Sequence, residues 1–334
     1  MSNNETLTSK DFASDQDVRW CPGCGDYSIL KQMQTVLPSM GIARENLVFI
    51  SGIGCSSRFP YYMNSYGMHS IHGRAPSVAT GLKLANPDLS VWIVTGDGDA
   101  LSIGGNQLIH LLRRNLNVNI LLFNNEIYGL TKGQYSPTSE IGKQTKSSPL
   151  GSIDHPFNPI ALALGAEATF VARTMDRDPV RLREVLQQAH EHKGTSLVEI
   201  YQNCNVFNDG AFEKYTDKKQ RDSTSLFLEQ GKPIVFDGGK KGLRLNGLQP
   251  QVVELANGYS ENDLWIHDSQ DATKAHLLSR LFSDADPRPF GVLYQTERSC
   301  YEEALTEQMD TSLKTKGTGD MNALIKGKNS WTVS

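Results

Sequence analysis

The chain has 334 residues and carries 37 acidic against 33 basic side chains, a net charge of -4. That length can bury a sizeable core, in one large domain or two. A charge this mild marks no surface for nucleic acid or membrane, and no apolar run reaches the ~18 residues that a membrane helix needs. The N-terminus, MSNNETLTSKDFASD, is polar and lacks the apolar centre of a signal peptide. Residues 1–17 are therefore expected to be flexible or to lie on a partner. Five cysteines without a secretory signal argue against structural disulfides and for a reducing, cytoplasmic compartment.

Cys21-Pro22-Gly23-Cys24 comes first in the chain. Asp26 can cap the helix that follows, where Ile29, Leu30, Met33, Val36 and Leu37 recur at helical spacing. Thiols at a helix N-terminus favour thiolate. On spacing alone, a thioredoxin-like dithiol, a zinc half-site and a cluster half-site stay equally open. Asn46 to Ser51 reads as a strand running into Gly52-Ile53-Gly54-Cys55-Ser56-Ser57-Arg58, which places Cys55 just past a strand's carboxyl end. Tyr61 to Gly73 reads as irregular and aromatic. His69 and His72 are three apart, but Gly67 and Gly73 disfavour the helix that would make them a metal pair. A helix from Pro76 to Ala85 follows, ended by Pro87.

Val91 to Thr95 is a short apolar run that reads as a buried strand, Leu101 to Arg114 suits a helix with one buried face, and Val118 to Phe123 is a second buried strand. Strand, helix, strand over this length predicts a parallel βαβ unit. Asp97 and Asn125 then both lie just past strand carboxyl ends, the edge where open parallel sheets bind ligands. A carboxylate, an amide oxygen and the carbonyl of Ile127 suit a hard octahedral ion such as Mg²⁺, which keeps water and takes phosphate oxygens. Gly96 and Gly98 allow the backbone to approach a phosphate, and the next helix points its positive end there. A dinucleotide fingerprint fails because its third glycine position is Leu101, and a P-loop fails for want of its lysine. The site reads as Mg²⁺ holding a diphosphate.

Gly96-Asp97-Gly98, followed after 25 residues by Asn124-Asn125, resembles the motif shared by thiamine diphosphate enzymes. The segments WCPGCGD, GIGCSSR, HGRAPSVATGLKLANP and YGLTKGQYSPTS together resemble the β subunit of 2-oxoacid:ferredoxin oxidoreductases, especially the 2-oxoglutarate type, over about residues 18–215. The resemblance implies that Asp97, Asn125 and Ile127 bind Mg²⁺. It also implies that Ile53, Gly54, Cys55, Ser56, His72, Gly73, Gly96, Gly98, Asp99, Gly129 and Leu130 face thiamine diphosphate.

Beyond the central unit, Gly129 to Pro156 is a long loop rich in Ser, Thr, Pro, Gly and Lys, a kind that is usually functional or disordered. Asn158-Pro159 and Asp178-Pro179 each open a helix, Thr169 to Arg173 and Ser196 to Tyr201 read as strands, and Cys204 follows the last. Five parallel strands result, with Cys55, Asp97, Asn125 and Cys204 along one edge. Cys21 and Cys24, at a helix start, can reach that edge. Four thiols can close a tetrahedral site. Zinc ribbons favour two C-x₂-C pairs and this chain has one, while a neighbouring diphosphate site favours redox work; a [4Fe–4S] cluster is preferred. The resemblance implies the same four ligands and leaves Cys300 structural or free.

From Tyr215 onward signals fade. A hairpin around Gly238-Gly239, a helix from Ala272 to Phe282 capped by Asp271, a strand from Phe290 to Gln295 and a flexible tail from Lys314 to Lys328 are expected. The fold class is α/β: a thiamine-diphosphate-binding fold, mainly parallel sheet with helices on both faces, over 18–215, plus a C-terminal extension over 216–334 that covers the core or contacts a partner.

The family resemblance implies reversible oxidative decarboxylation of 2-oxoglutarate to succinyl-CoA, with electrons passed through the cluster to ferredoxin. It implies an α subunit that supplies the activating glutamate, in an α2β2 assembly. Arg58 and Lys132 are the candidate catalytic cations for substrate carboxylates or coenzyme A. Rival readings are a pyruvate or broad 2-oxoacid enzyme, a non-redox thiamine-dependent decarboxylase or synthase with structural thiols, and an electron-transfer subunit without a thiamine site.

Overall fold

The structure is a computed structural model that describes residues 7–333. Its first half alternates strands and helices: α1 (Asp26–Met40), β1 (Leu47–Ser51), β2 (Tyr66–His69), α2 (Ala75–Ala85), β3 (Ser90–Gly96), α3 (Gly105–Arg114), β4 (Asn119–Asn124), α4 (Pro159–Gly165), β5 (Phe170–Met175), α5 (Pro179–Glu191) and β6 (Ser196–Tyr201). The rest adds β7 (Ser225–Phe227), β8 (Val235–Phe236), β9 (Lys241–Asn246), β10 (Gln249–Glu254) and β11 (Arg288–Gln295). One sheet of eight strands runs β2-β1-β3-β4-β6-β5-β11-β7, and β10-β9-β8 form a small antiparallel sheet.

The central strands are apolar throughout because both of their faces are covered. Val48, Ile50, Val91, Ile93, Ile120 and Leu122 pack on one side with α2, α3 and α4. Leu47, Phe49, Trp92, Val94, Leu121 and Phe123 pack on the other with α1 and α5. The Asn158 and Asp178 side chains cap α4 and α5 as expected, accepting from the backbone N–H of Ala161 and Arg181. The cap expected at α1 is different. Gly25 takes that position, and Asp26 is buried with Oδ2 unpartnered among the described residues.

The five expected parallel strands are present, and β2 makes a sixth, paired in parallel with β1. Its exposed side chains, Tyr66 and Met68 among them, give it no buried pattern to read. The helix expected from Leu101 opens instead as a π-helical turn, Asp99–Ile103, closed by a bond from the Gly104 N–H to the Asp99 carbonyl.

The extension is not a separate layer. Strand β11 pairs antiparallel with β5, β7 pairs parallel with β11, and Leu226, Leu228, Ile234, Trp265, Leu278 and Leu293 enter the main core. The 215/216 boundary therefore cuts through a shared core. The predicted hairpin is β8–β9 and the Asp271 cap forms, accepting from Lys274 N–H. The tail expected to be flexible includes the end of an exposed helix, Tyr301–Lys316, and a short helix, Met321–Lys326; Glu302 is the one residue buried in either.

Residues 1–6 of the expected flexible segment lie outside the described residues. Residues 7–17 correct that expectation, because Phe12 is fully buried and its carbonyl accepts from Asn64 N–H. Truncating a buried Phe typically costs about 3–5 kcal/mol. Phe12→Ala should lose about that much in denaturant unfolding, and a loss under ~0.5 kcal/mol would show that the segment is not anchored.

Candidate functional site

Strand β3 ends in Gly96-Asp97-Gly98-Asp99, and Asp99 is the knot that gathers the loops around it. Its buried carboxylate accepts from Ile53 N–H at 3.0 Å, Gly73 N–H at 2.7 Å and Thr95 Oγ1 at 2.6 Å, and sits 2.5 Å from His72 Nδ1. Two glycines allow this closeness. A Cβ on Gly52 would meet Asp99 Oδ2 at 1.9 Å, and one on Gly73, at φ 68, would meet the Gly104 backbone at 2.5 Å. The loop after β1, the His72-Gly73 turn and the π turn are thus held to one carboxylate.

Asp97 is buried, and burial raises its pKa above the usual carboxylate range against the bonds to Ser136 and Thr138. Those hydroxyls come from the long loop and donate to Oδ2 at 2.5 and 2.6 Å. Opposite, β4 ends at Asn124, Asn125 follows it, and the chain turns sharply at Glu126, which has a φ of 56. Asn124 is held by Glu199, whose carboxylate accepts from Asn124 Nδ2 at 2.8 Å and from Arg173 Nε at 2.7 Å in a buried ion pair. Asn125 Oδ1 accepts from Ile127 N–H at 3.2 Å while its Nδ2 donates to Gln202 Oε1 at 2.8 Å. Glu126 is pushed up to about 8 by burial and by the nearby Asp97. Two acids, each without a basic partner within ion-pair reach among the described residues, flank this turn, as suits a site that could take a divalent cation.

The thiols gather at the same edge. Cys55 Sγ and Cys204 Sγ both flank Gly129, 3.7 and 3.5 Å from where its Cβ would stand. Trp20 Nε1 donates to the Cys55 carbonyl at 2.6 Å, Asn205 Nδ2 to the Pro22 carbonyl at 2.7 Å, and Gly25 N–H to the Asn203 carbonyl at 3.1 Å, so the three cysteine-bearing loops are tied together. The helix start does not favour thiolate here. Burial first, and Asp26 second, push the Cys24 thiol far up and the Cys55 thiol up to about 12. A single tetrahedral zinc would draw its sulfurs to within ~3.8 Å of one another. No three His, Cys, Asp or Glu side chains among the described residues converge in this way. Cys300 is buried at the start of the Tyr301–Lys316 helix, in another part of the sequence from the other four.

With this geometry in place, the comparisons are decisive. Residues 52–200 match the family described as thiamine pyrophosphate enzyme, C-terminal TPP binding domain. The chain is 54% identical over 338 residues to a 2-oxoglutarate oxidoreductase subunit KorB from Mycobacterium tuberculosis, covering 99% of this chain and 90% of that one. It is 40% identical over 263 residues to a 2-oxoglutarate synthase subunit KorB from Methanothermobacter marburgensis, covering 79% and 86%. A solved 2-oxoglutarate:ferredoxin oxidoreductase from Magnetococcus marinus, with 2-oxoglutarate, coenzyme A and succinyl-CoA bound, superposes with a TM-score of 0.77 at 33% identity, over 96% of each chain. The chain belongs to the β subunits of the 2-oxoacid:ferredoxin oxidoreductases.

Within this β-subunit fold, Cys55 and Cys204 flank Gly129, Ser56 lies beside Gly96, and Gln202 touches both Asn125 and Cys24. His72 and Gly73 both bond to the Asp99 carboxylate. Arg58 is half-buried, with Nε donating to Tyr62 OH at 2.9 Å and its guanidinium over the Tyr61 ring. Lys132 is exposed, at a φ of 76 in the turn after Gly129, and forms no ion pair among the described residues. Sequence reading missed Ser136, Thr138, Glu199, Gln202 and Asn208, whose Nδ2 donates to the Asn125 carbonyl at 2.9 Å. Ser136 and Thr138 lie in the YGLTKGQYSPTS segment and Gln202 stands two residues before Cys204, but nothing local marks Glu199 or Asn208.

Asp99→Ala strands buried donors from three segments, each costing about 1–3 kcal/mol. The variant should lose at least about 3 kcal/mol in denaturant unfolding, and stability equal to the parent would show that Asp99 is not the knot.

Proposed function

We propose that this chain is the β subunit of a 2-oxoglutarate:ferredoxin oxidoreductase, which converts 2-oxoglutarate and coenzyme A to succinyl-CoA and CO₂, reversibly, with ferredoxin as electron partner. One observation carries the reading: the Asp97/Asn125 turn and the four-thiol cluster of loops are built against each other, joined by Gln202 and Asn208. A non-redox thiamine enzyme has no use for that second site.

Asp97, the Asn125 amide oxygen and the Ile127 carbonyl would hold Mg²⁺, with Gly96 and Gly98 giving the diphosphate room. The fit rests on the buried acids and on Ser56 Oγ, which is buried without a partner and lies 3.5 Å from where a Gly96 Cβ would stand. Cys21, Cys24, Cys55 and Cys204 would hold a [4Fe–4S] cluster. When bound, thiamine diphosphate supplies the carbanion chemistry of 2-oxoacid decarboxylation and the cluster a one-electron path out. The chain's own work is to bind, to orient and to exclude water. Asp99 fixes the pocket wall, and Ser136 and Thr138 seat the long loop over Asp97. Arg58, held by Tyr62, and Lys132, held in a strained turn, present cations for substrate or coenzyme A carboxylate and phosphate groups. The activating glutamate comes from the α subunit of an α2β2 complex, in the cytoplasm. No helix among the described residues is long and apolar enough to cross a membrane.

Metal, acid-labile sulfide and thiamine content of the anaerobically purified complex test the reading. Asp97→Ala should abolish Mg²⁺-dependent thiamine diphosphate binding in a fluorescence titration while the fold survives, and unchanged affinity would refute its role as ligand. Cys204→Ser should lose iron and Cys300→Ser should keep it; the reverse would overturn the ligand set.

The second carboxylate of 2-oxoglutarate needs a cation where pyruvate needs none. Arg58→Ala and Lys132→Ala should each lower kcat/KM for 2-oxoglutarate at least about tenfold, equivalent to roughly 1.4 kcal/mol. Pyruvate turnover should suffer less in at least one of them. Equal losses with both substrates in both variants would assign these cations to the shared 2-oxoacid head or to coenzyme A.

A further inference from the structure

Gln202 is 1% exposed and immediately follows β6. Its backbone N–H donates to the Asn124 carbonyl at 2.9 Å, which fixes its start beside the metal turn. Its side chain is used at every polar position that matters. Nε2 donates to the Asn203 carbonyl at 2.7 Å and to Cys24 Sγ at 3.2 Å, and Oε1 accepts from Asn125 Nδ2 at 2.8 Å. The amide thus touches one residue of the metal turn and one thiol of the cluster loops.

We propose that Gln202 is a positioning residue for both cofactors at once, orienting the Asn125 amide oxygen toward the divalent cation and donating an N–H bond to the Cys24 sulfur. The proposal rests on the cluster and Mg²⁺ assignments given under Proposed function. Its logic is the donor and acceptor inventory of primary amides. The Asn203 carbonyl can only accept, so Nε2 of Gln202 must face it. Oε1 is then directed at Asn125, which has to answer with its own NH₂. Asn125 Oδ1 is therefore left for the other side of the amide, where a hard cation needs an oxygen. A backbone carbonyl sets one amide and that amide sets the next; without Gln202, Asn125 is free to flip and offer its NH₂ to the cation.

The second N–H of Nε2 acts on the other site. A cysteine sulfur bound to iron carries far more negative charge than a thiol and accepts a hydrogen bond correspondingly well. Such bonds stabilise the reduced cluster, which carries more negative charge, and so raise its potential. One buried side chain thereby supports cation affinity on one side and the cluster's potential on the other.

The test uses the complete complex, purified anaerobically, with Gln202→Met and Gln202→Glu. Gln202→Met keeps the length and removes both functions. Gln202→Glu keeps an oxygen acceptor for Asn125 and has no N–H left for Cys24. Two readouts are needed besides turnover: the cluster midpoint from an EPR-monitored redox titration, and Mg²⁺ affinity in the presence of thiamine diphosphate. Gln202→Met should weaken Mg²⁺ about 10–100-fold, the usual loss for a residue that orients a metal ligand, and move the midpoint to more negative potential. Gln202→Glu should also lower the midpoint while holding Mg²⁺ affinity within about threefold of the parent.

A parent-like midpoint in both variants at full iron and sulfide content, or parent-like Mg²⁺ affinity in Gln202→Met, overturns the proposal and leaves the cluster assignment standing. A parent complex without iron and sulfide overturns the cluster assignment itself, and this inference with it. Should Gln202→Met fail to assemble, Gln202→Leu, neutral and without polar atoms, takes its place in both readouts, with the same outcomes deciding.

Discussion

Parallel pairing is the constraint on which the rest depends. Strands β1, β3, β4 and β6 lie side by side and run the same way, so their carboxyl ends open onto one edge. Whatever follows each strand is delivered there: Cys55 after β1, Asp97 after β3, Asn125 after β4, Gln202 and Cys204 after β6. The edge is also where each strand's backbone leaves its ladder and needs new partners. Asp99, Asn208 and Gln202 supply them by tying each loop to its neighbour. The site is assembled because the loops satisfy one another.

That edge is rich in buried acid. Asp26, Asp97, Glu126 and Asp176 are all shifted upward, with burial the leading cause in each, and Asp26 is raised to about 7. Glu199, buried beside them, is instead paired with the Arg173 guanidinium at 2.7 Å. Carboxylates without such partners favour cations, and the Asp97/Glu126 side is where Mg²⁺ is assigned. Asp26 and Asp176 sit instead beside the Cys24 loop, where Asp176 Oδ2 accepts from Asn203 N–H at 2.9 Å.

Much of this was legible in the residues. Strands β1, β3, β4, β5 and β6 announce themselves because burial on both faces leaves near-continuous apolar runs. Asp97 and Asn125 stand out because such runs end on them. Proline after asparagine or aspartate marked α4 and α5. What was hidden shares a physical reason. Strand β2 is an exposed edge strand, held by backbone bonds that any sequence can make. The extension strands β7 and β11 join the sheet through pairings that are remote in sequence. Ser136, Thr138, Glu199, Gln202 and Asn208 are ordinary polar residues until the fold brings a partner within 3 Å. Asp26 was misread as a cap because aspartate before a helical run usually caps it, and only the packed structure shows Gly25 in that position. Asp99 was read as a cofactor-facing residue, and the bonds it makes to Ile53, His72, Gly73 and Thr95 could not be read from the sequence.

The central claim is that the divalent-cation site and the cluster share one wall within this single chain. Replacing Mg²⁺ by Mn²⁺ in the reduced, anaerobic complex tests it directly, because a paramagnetic ion bound beside a reduced cluster would alter the cluster's EPR signal. The account predicts that Mn²⁺ bound with thiamine diphosphate broadens the reduced-cluster signal and speeds its relaxation, and that Asp97→Ala abolishes the effect. A cluster signal indifferent to bound Mn²⁺ would contradict it.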